Sequence, residues 1–340
     1  METFKRALGR EHPDTLTSMG NLASTYRNQD RWKEAEELEV QVMETEKRVL
    51  GAEHPDTMTS MANLASTYRN QGRWKEAEEL EVQVMETRKR VLGTEHPDTL
   101  TSVNNLALVL QFQGKYEAAE EMTWRALKGY EKVLGPEHLD TLTSVNNLGL
   151  VLERQGKYEE AEAMYRRALE GTEKVLRPEH PSTLDTVNNL GNLYADQGKL
   201  DEAEKMHIRA LAGYEKALGP EHTSTLNTVN NLGLLYADQG KLDEAEEMYI
   251  WALTGYEKAL GPEHPSTLDT VNKLGAVYEN QEKLDEAEEM YMRALAGYDK
   301  ALGAEHPSTL NTVNNLGKLY TSQGKLDAAE QMYMRALAGK

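Results

Sequence analysis

Histidine offers the most conspicuous candidate chemistry in this chain: a Glu-His pair recurs with its imidazole at 12, 54, 96, 138, 180, 222, 264 and 306. Imidazole serves as a metal ligand and as a general base near neutral pH, so a row of them invites both readings. The interval is 42 residues every time. If each interval is one stacked helix pair, successive imidazoles stand roughly 10 Å or more apart. A shared metal must lie about 2.1 Å from each nitrogen, so the series reads as a polar connector side chain bonding to a helix end. The remaining histidine, His207, falls where other copies carry Tyr165, Tyr249, Tyr291 or Tyr333. It reads as a packed aromatic replacement.

Paired carboxylates come next. Glu-Ala-Glu recurs at 160–162, 202–204, 244–246 and 286–288, and two acids can divide acid and base roles. Both glutamates flank a buried alanine and face away from it with no fixed partner, so a solvated helix face is expected. No cysteine is present, which removes thiolate nucleophiles, disulfides and Cys-based zinc sites. No G-x-G-x-x-G, P-loop or G-x-S-x-G occurs. Glycine is confined to repeat turns, small packing positions and one mid-helix position. The expectation is no enzymatic activity, no cofactor and no metal.

The elements that position these residues are set by the repeat, because so strict a period defines an architecture. One unit, from Pro181, reads PSTLDTVNNLGNLYADQGKLDEAEKMHIRALAGYEKALGPEH. Leu184, Val187, Leu190, Gly191 and Tyr194 fall on one helical face. Ser182 is the expected N-cap, Asp185 the capping-box acid and Gly198 the left-handed stop, giving a helix over about 183–197. A second apolar stripe runs through Ala203, Met206, Ala210, Leu211, Tyr214, Ala217 and Leu218, giving a helix over about 200–218 that opens on Asp201 and Glu202. The short link forces the two to pack antiparallel.

Whole-chain properties agree. A repeat array has no single core, so the length of 340 residues does not translate into two ordinary domains. The net charge of −19 disfavours duplex nucleic acid and anionic membrane surfaces. The opening Met1-Glu-Thr-Phe-Lys-Arg has no apolar core, and no run approaches the roughly 20 apolar residues of a membrane span. A cysteine-free chain of this kind is compatible with a reducing, cytoplasmic setting.

The combination of Leu190-Gly191, Tyr194, Ala203 and Ala210 with Gly198 at the turn resembles the tetratricopeptide (TPR) signature. The 42-residue period, the Asn-Asn-Leu-Gly/Ala run and the Leu-Gly-Pro-Glu-His-Pro connector resemble its kinesin-light-chain subtype. The close likeness of whole units, such as 182–219 beside 266–303, is similar to the arrays of fungal NLR-like (STAND) proteins. The resemblance implies an all-α fold, a right-handed superhelical α-solenoid of antiparallel helix pairs. Its boundaries would be 1–9 (the end of a truncated preceding repeat), then repeats at 10–51, 52–93, 94–135, 136–177, 178–219, 220–261 and 262–303, and a truncated eighth at 304–340. Residues 1–9 match 43–51, and the chain stops partway along a helix, so both ends read as cut.

Comparison among copies locates a candidate ligand face. Counting from the Leu (or Met58) that opens each first helix, sites 2, 5, 6, 9, 12 and 13 share one face, and the resemblance implies that this face lines a concave groove holding the ligand. Site 5 is Asn104, Asn146, Asn188, Asn230, Asn272 and Asn314, and site 6 includes Asn105, Asn147, Asn189, Asn231 and Asn315, broken by Lys273. Such amides either hold an extended backbone without reading its side chains or bond from repeat to repeat to fix the stack. Sites 9, 12 and 13 vary: Arg27, Arg69, Leu108, Phe112, Leu150 and Arg154 lie in the first half, Asp196 and Asp238 in the second. The expectation is a groove that meets acidic ligand character early and basic character late, with Leu108, Phe112 and Leu150 forming an apolar pocket between.

The expected function is a scaffold for a protein or extended peptide, as the recognition region of a larger NLR-like sensor. The alternatives are a structural solenoid that self-associates through its truncated ends and a kinesin-light-chain-like cargo adaptor.

Overall fold

The computed structural model describes residues 9, 11–29 and 31–338. The expected truncated segment 1–9 therefore lies outside them except for Gly9. Among the described residues there are sixteen α-helices and no strand, and the chain divides into two compact units, residues 1–175 and 176–340. The first holds α1 (Pro13–Asn28), α2 (Trp32–Val49), α3 (Pro55–Asn70), α4 (Trp74–Leu92), α5 (Pro97–Phe112), α6 (Tyr116–Val133), α7 (Leu139–Arg154) and α8 (Tyr158–Val175). The second holds α9 (Pro181–Asp196), α10 (Leu200–Leu218), α11 (Thr223–Asp238), α12 (Leu242–Ala259), α13 (Pro265–Asn280), α14 (Leu284–Ala301), α15 (Pro307–Ser322) and α16 (Leu326–Ala338). Each odd-numbered helix packs on the even one after it, and each such pair packs on the next within its unit.

The histidine series is the N-cap of the odd-numbered helices. In α9, His180 Nδ1 accepts a hydrogen bond from the Ser182 backbone N–H at 3.2 Å, and the same bond recurs at 3.1–3.3 Å at every other copy. An imidazole nitrogen thus satisfies an orphan donor as Asn or Asp would. This corrects the expectation for Ser182, which supplies the donor rather than the cap, and it starts the helix at Pro181, where a missing N–H costs nothing. Asp185 closes no capping box; it accepts from the Tyr214 hydroxyl of α10. Gly198 does take φ +72°, and α10 spans 200–218.

A buried threonine closes each connector. Thr183 donates to the carbonyl of Arg177 at 2.9 Å, and Thr225, Thr267 and Thr309 do the same to Gly219, Gly261 and Gly303 at 2.8 Å. These glycines have φ between +92° and +96°, whereas Arg177 holds φ 125° without being glycine. The hydrophobic core lies between paired helices. In repeats 4 to 8 an aromatic ring of the second helix covers a glycine of the first: a Cβ on Gly149 would lie 2.7 Å from the Tyr165 ring, and one on Gly191 would lie 2.8 Å from His207. His207 is 1% exposed, as a packed aromatic replacement should be.

The Glu-Ala-Glu motif is only half solvated. Its second carboxylate ties one repeat to the next: Gln281 and Lys283 both donate to Glu246 at 2.9 Å, and Lys325 donates to Glu288 at 2.8 Å. The first unit repeats the device with Gln155 and Lys157 on Glu120. The helix face looked exposed because the partners lie 35 and 37 residues away in sequence.

Candidate ligand-binding face

In the first unit the expected face is carried by α1, α3, α5 and α7. Arg27 is half-buried and engaged: it donates to the Asn63 carbonyl at 3.2 Å and pairs with Glu39 at 3.5 Å. Glu39 is 4% exposed and also accepts from Thr67 at 2.6 Å. Arg69 lies over the Phe112 ring, 5.9 Å from its centroid, and contacts Ser66 Oγ at 3.4 Å. Burial lowers the Arg69 pKa, a shift that the Glu81 carboxylate opposes. Phe112 itself is 54% exposed, with Leu108 and Leu150 half-buried on the same face and Arg154 exposed. The structure therefore presents an aromatic and two aliphatic side chains, flanked by guanidinium groups, on an otherwise amide-lined surface.

Beneath this face lies a group that sequence reading missed. Glu81, in α4, is 2% exposed, and burial pushes its carboxyl up to about 8 against the opposing Arg88 and Arg69 charges and the Asn105 amide. One of its oxygens has no hydrogen-bond partner. Glu39 and Glu81 occupy the register position that later repeats fill with Tyr165, His207, Tyr249 and Tyr291. Aligning the second helices as well as the first would have exposed the acids. Asn104, 8% exposed, accepts from Ser144 Oγ at 3.3 Å, while Asn146 and Asn147 are half-buried.

In the second unit the same face belongs to α9, α11, α13 and α15, and here amides bond across repeats. Asn231 donates to Asn192 at 3.1 Å and to Asn188 at 3.4 Å, and Asn315 donates to Asn272 at 3.5 Å. Asn188 also meets His207 Nδ1 at 3.1 Å, and burial lowers the His207 pKa to about 4, so the ring is neutral and, with Asn188 Oδ1 as acceptor, donates. Asn230 is buried with an unpartnered Oδ1, Asn189 is half-buried, and Asn314 is exposed. Of the two roles open for the asparagines, stack-fixing is visible in these bonds, and each amide keeps further donor or acceptor capacity. Lys273, which breaks the series, pairs with Asp269 at 2.8 Å. Asp196, Asp238 and Leu234 are exposed. Among the described residues no helix is long and apolar enough to cross a membrane.

A family model described as tetratricopeptide repeat matches residues 99–174, 182–258, 227–300 and 266–340, and a second with the same description matches 15–56 and 57–98. A crystal structure of a Podosopora anserina putative kinesin light chain with nearly identical TPR-like repeats is 31% identical over 61% of this chain and 97% of that one, with a TM-score of 0.50. BtubC (BKLC) from P. vanneervenii is 22% identical over 70% of this chain and 93% of its own, with a TM-score of 0.54. The apo quorum sensor NprR from B. thuringiensis is 14% identical over 93% of this chain and 98% of its own, with a TM-score of 0.55. The last two are similar in fold. No curated protein sequence matches the chain.

Proposed function

Since the chain belongs to the tetratricopeptide repeat family, we propose that it is a scaffold that holds a protein or an extended peptide on the exposed face of its first helices. The carrying observation is Phe112, more than half exposed, beneath the Arg69 guanidinium and beside Leu108 and Leu150. A large aromatic left in water on a folded helix gains free energy when a partner covers it, and aromatic and arginine side chains dominate interface energetics. The first unit's face thus suits a segment with an apolar anchor and acidic neighbours, and the exposed Asp196 and Asp238 of the second suit basic ones. Peptide-library capture followed by titration tests this. Phe112→Ala and Arg154→Glu, both exposed, should weaken the captured peptide tenfold or more without changing the melting profile, and the Arg154→Glu loss should shrink with added salt. Undiminished affinity in both variants would remove this face from the function.

The near-identity of units such as 182–219 and 266–303 supports the finer reading that the array is the recognition region of a larger NLR-like sensor. Sequencing the gene upstream checks this: a nucleotide-binding domain there supports it, and its absence leaves a stand-alone scaffold.

A further inference from the structure

The second helix of repeat 3, α6, departs from its copies along one stripe. In three places an acid on one second helix pairs with an arginine 36 residues later: Glu131 with Arg167, Glu257 with Arg293 and Asp299 with Arg335. The same register sets Arg125 opposite position 89, which is a lysine that pairs with Glu86 at 3.5 Å on its own helix. Three residues on, Lys128 stands where every other repeat carries glutamate, alanine or threonine, and Trp124 stands where the others carry Val, Ile, Met or Arg. Residues three and four apart on a helix are neighbours, so Trp124, Arg125, Lys128 and Lys132 make one stripe. They line an open cavity of about 900 Å3. Its two acids are Glu121 and Glu95, and Glu95 is taken up by Lys132. Among the described residues neither Arg125 nor Lys128 has an ion-pair partner. One turn before Trp124, Glu120 is held by Gln155 and Lys157.

Like charges brought together without a counter-ion cost stability, and in a chain of net charge −19 a solvated acid would fit there as it does in other copies. We propose that this cavity is a second binding site, for a phosphorylated small molecule whose phosphate rests on Arg125 and Lys128 and whose remaining part lies against the Trp124 indole. Guanidinium and ammonium groups suit phosphate oxygens, and an indole face suits a planar ring. The overall negative charge does not forbid it. At physiological salt the Debye length is about 8 Å, so distant acids are screened while the contacting cations are not.

Calorimetric titration of the full chain at physiological salt, with pyrophosphate, ADP and adenosine as probes, tests this. Pyrophosphate and ADP should bind at about 1 mM or tighter, and an Arg125→Glu/Lys128→Glu variant should lose at least tenfold while melting like the parent, since both side chains are exposed. ADP binding several-fold tighter than pyrophosphate, with the gain lost in Trp124→Leu, identifies a nucleotide as the source of the phosphate; equal binding identifies phosphate alone and removes the role of the indole. No heat with either phosphate, or binding unchanged in the double variant, overturns the site. Peptide capture by the first-helix face should be unaltered in these variants, which separates this test from the preceding one.

Discussion

Replacing Glu81 by glutamine should stabilise the protein at neutral pH and leave it unchanged in acid. The folded carboxyl titrates at about 8 against 4.5 when free. Below the free value both states hold the proton, and the group contributes nothing to pH dependence. As pH rises through 4.5 the unfolded chain releases its proton while the folded one keeps it, so folding is progressively penalised until the folded group ionises near 8. At pH 7, with each tenfold worth about 1.4 kcal/mol, the penalty approaches roughly 3 kcal/mol. Glutamine reproduces the shape of the protonated acid and removes the penalty, so a gain of about 1–3 kcal/mol is expected at pH 7 and none at pH 4. Burial also raises the Glu39 and Glu46 pKa values, so both add to the loss of stability as pH rises above the free carboxylate value. The measurement is urea unfolding at pH 4, 7 and 8.5, fitted with a nearest-neighbour repeat model because such arrays are not two-state. A Glu81→Gln variant that is less stable than the parent at pH 8.5, or whose advantage is the same at pH 4, would refute the account.

Three other substitutions probe the frame. Arg177→Gly should raise the melting midpoint by an amount equivalent to about 1 kcal/mol, because φ 125° strains any side chain-bearing residue by more than glycine's extra entropy costs. His207→Tyr should matter little at pH 7 but gain about 2 kcal/mol over the parent at pH 5: a folded pKa of about 4 against 6.5 means the parent's stability is full above 6.5 and lost as pH falls toward 4; equal acid sensitivity in denaturant melts would contradict this. Gly149→Ala drives a methyl into the Tyr165 ring 2.7 Å away and should cost about 1–3 kcal/mol, whereas combining it with Tyr165→Thr, the pair found as Ala107 and Thr123, should recover part of that loss in a double-mutant cycle.

The helices and their pairing were legible because the apolar period and the invariant interval both report local geometry. That the histidines bond to a helix end was legible in their spacing, but the cap of this helix was assigned to Ser182, which obeys the usual preference; imidazole's ability to accept from an N–H two residues on depends on a rotamer that no pattern displays. The Glu246 tie was missed for a different reason: its partners Gln281 and Lys283 lie most of a repeat away. On the candidate face, the positions of Phe112, Arg69 and the asparagines followed from helical spacing alone. Whether Arg27 was available to a ligand did not, since its neutralisation by Glu39 requires knowing which second-helix residue faces it.

That last pairing changes how the variation among repeats should be weighed. Arg27 faces Glu39, Glu153 accepts from Tyr165 at 2.7 Å, Glu279 accepts from Tyr291 at 2.9 Å, and Thr321 lies 3.5 Å from the Tyr333 hydroxyl. In these four copies the partner stands twelve residues later, so the residue at this site satisfies a hydroxyl or a charge that would otherwise be orphaned, whereas Ala237 offers Tyr249 no such partner. In those four copies the choice of residue records internal compensation. Phe112, Leu234, Asp196, Asp238 and Lys318 also differ among copies, but they are exposed. A choice between phenylalanine, aspartate and asparagine at Phe112, Asp196 and Asn280 is set by nothing that packing demands. Specificity for a partner can reside only where the fold leaves the choice open, so under the proposed function the surface to test narrows to these outward positions, with Phe112 as the proposed anchor in the first unit.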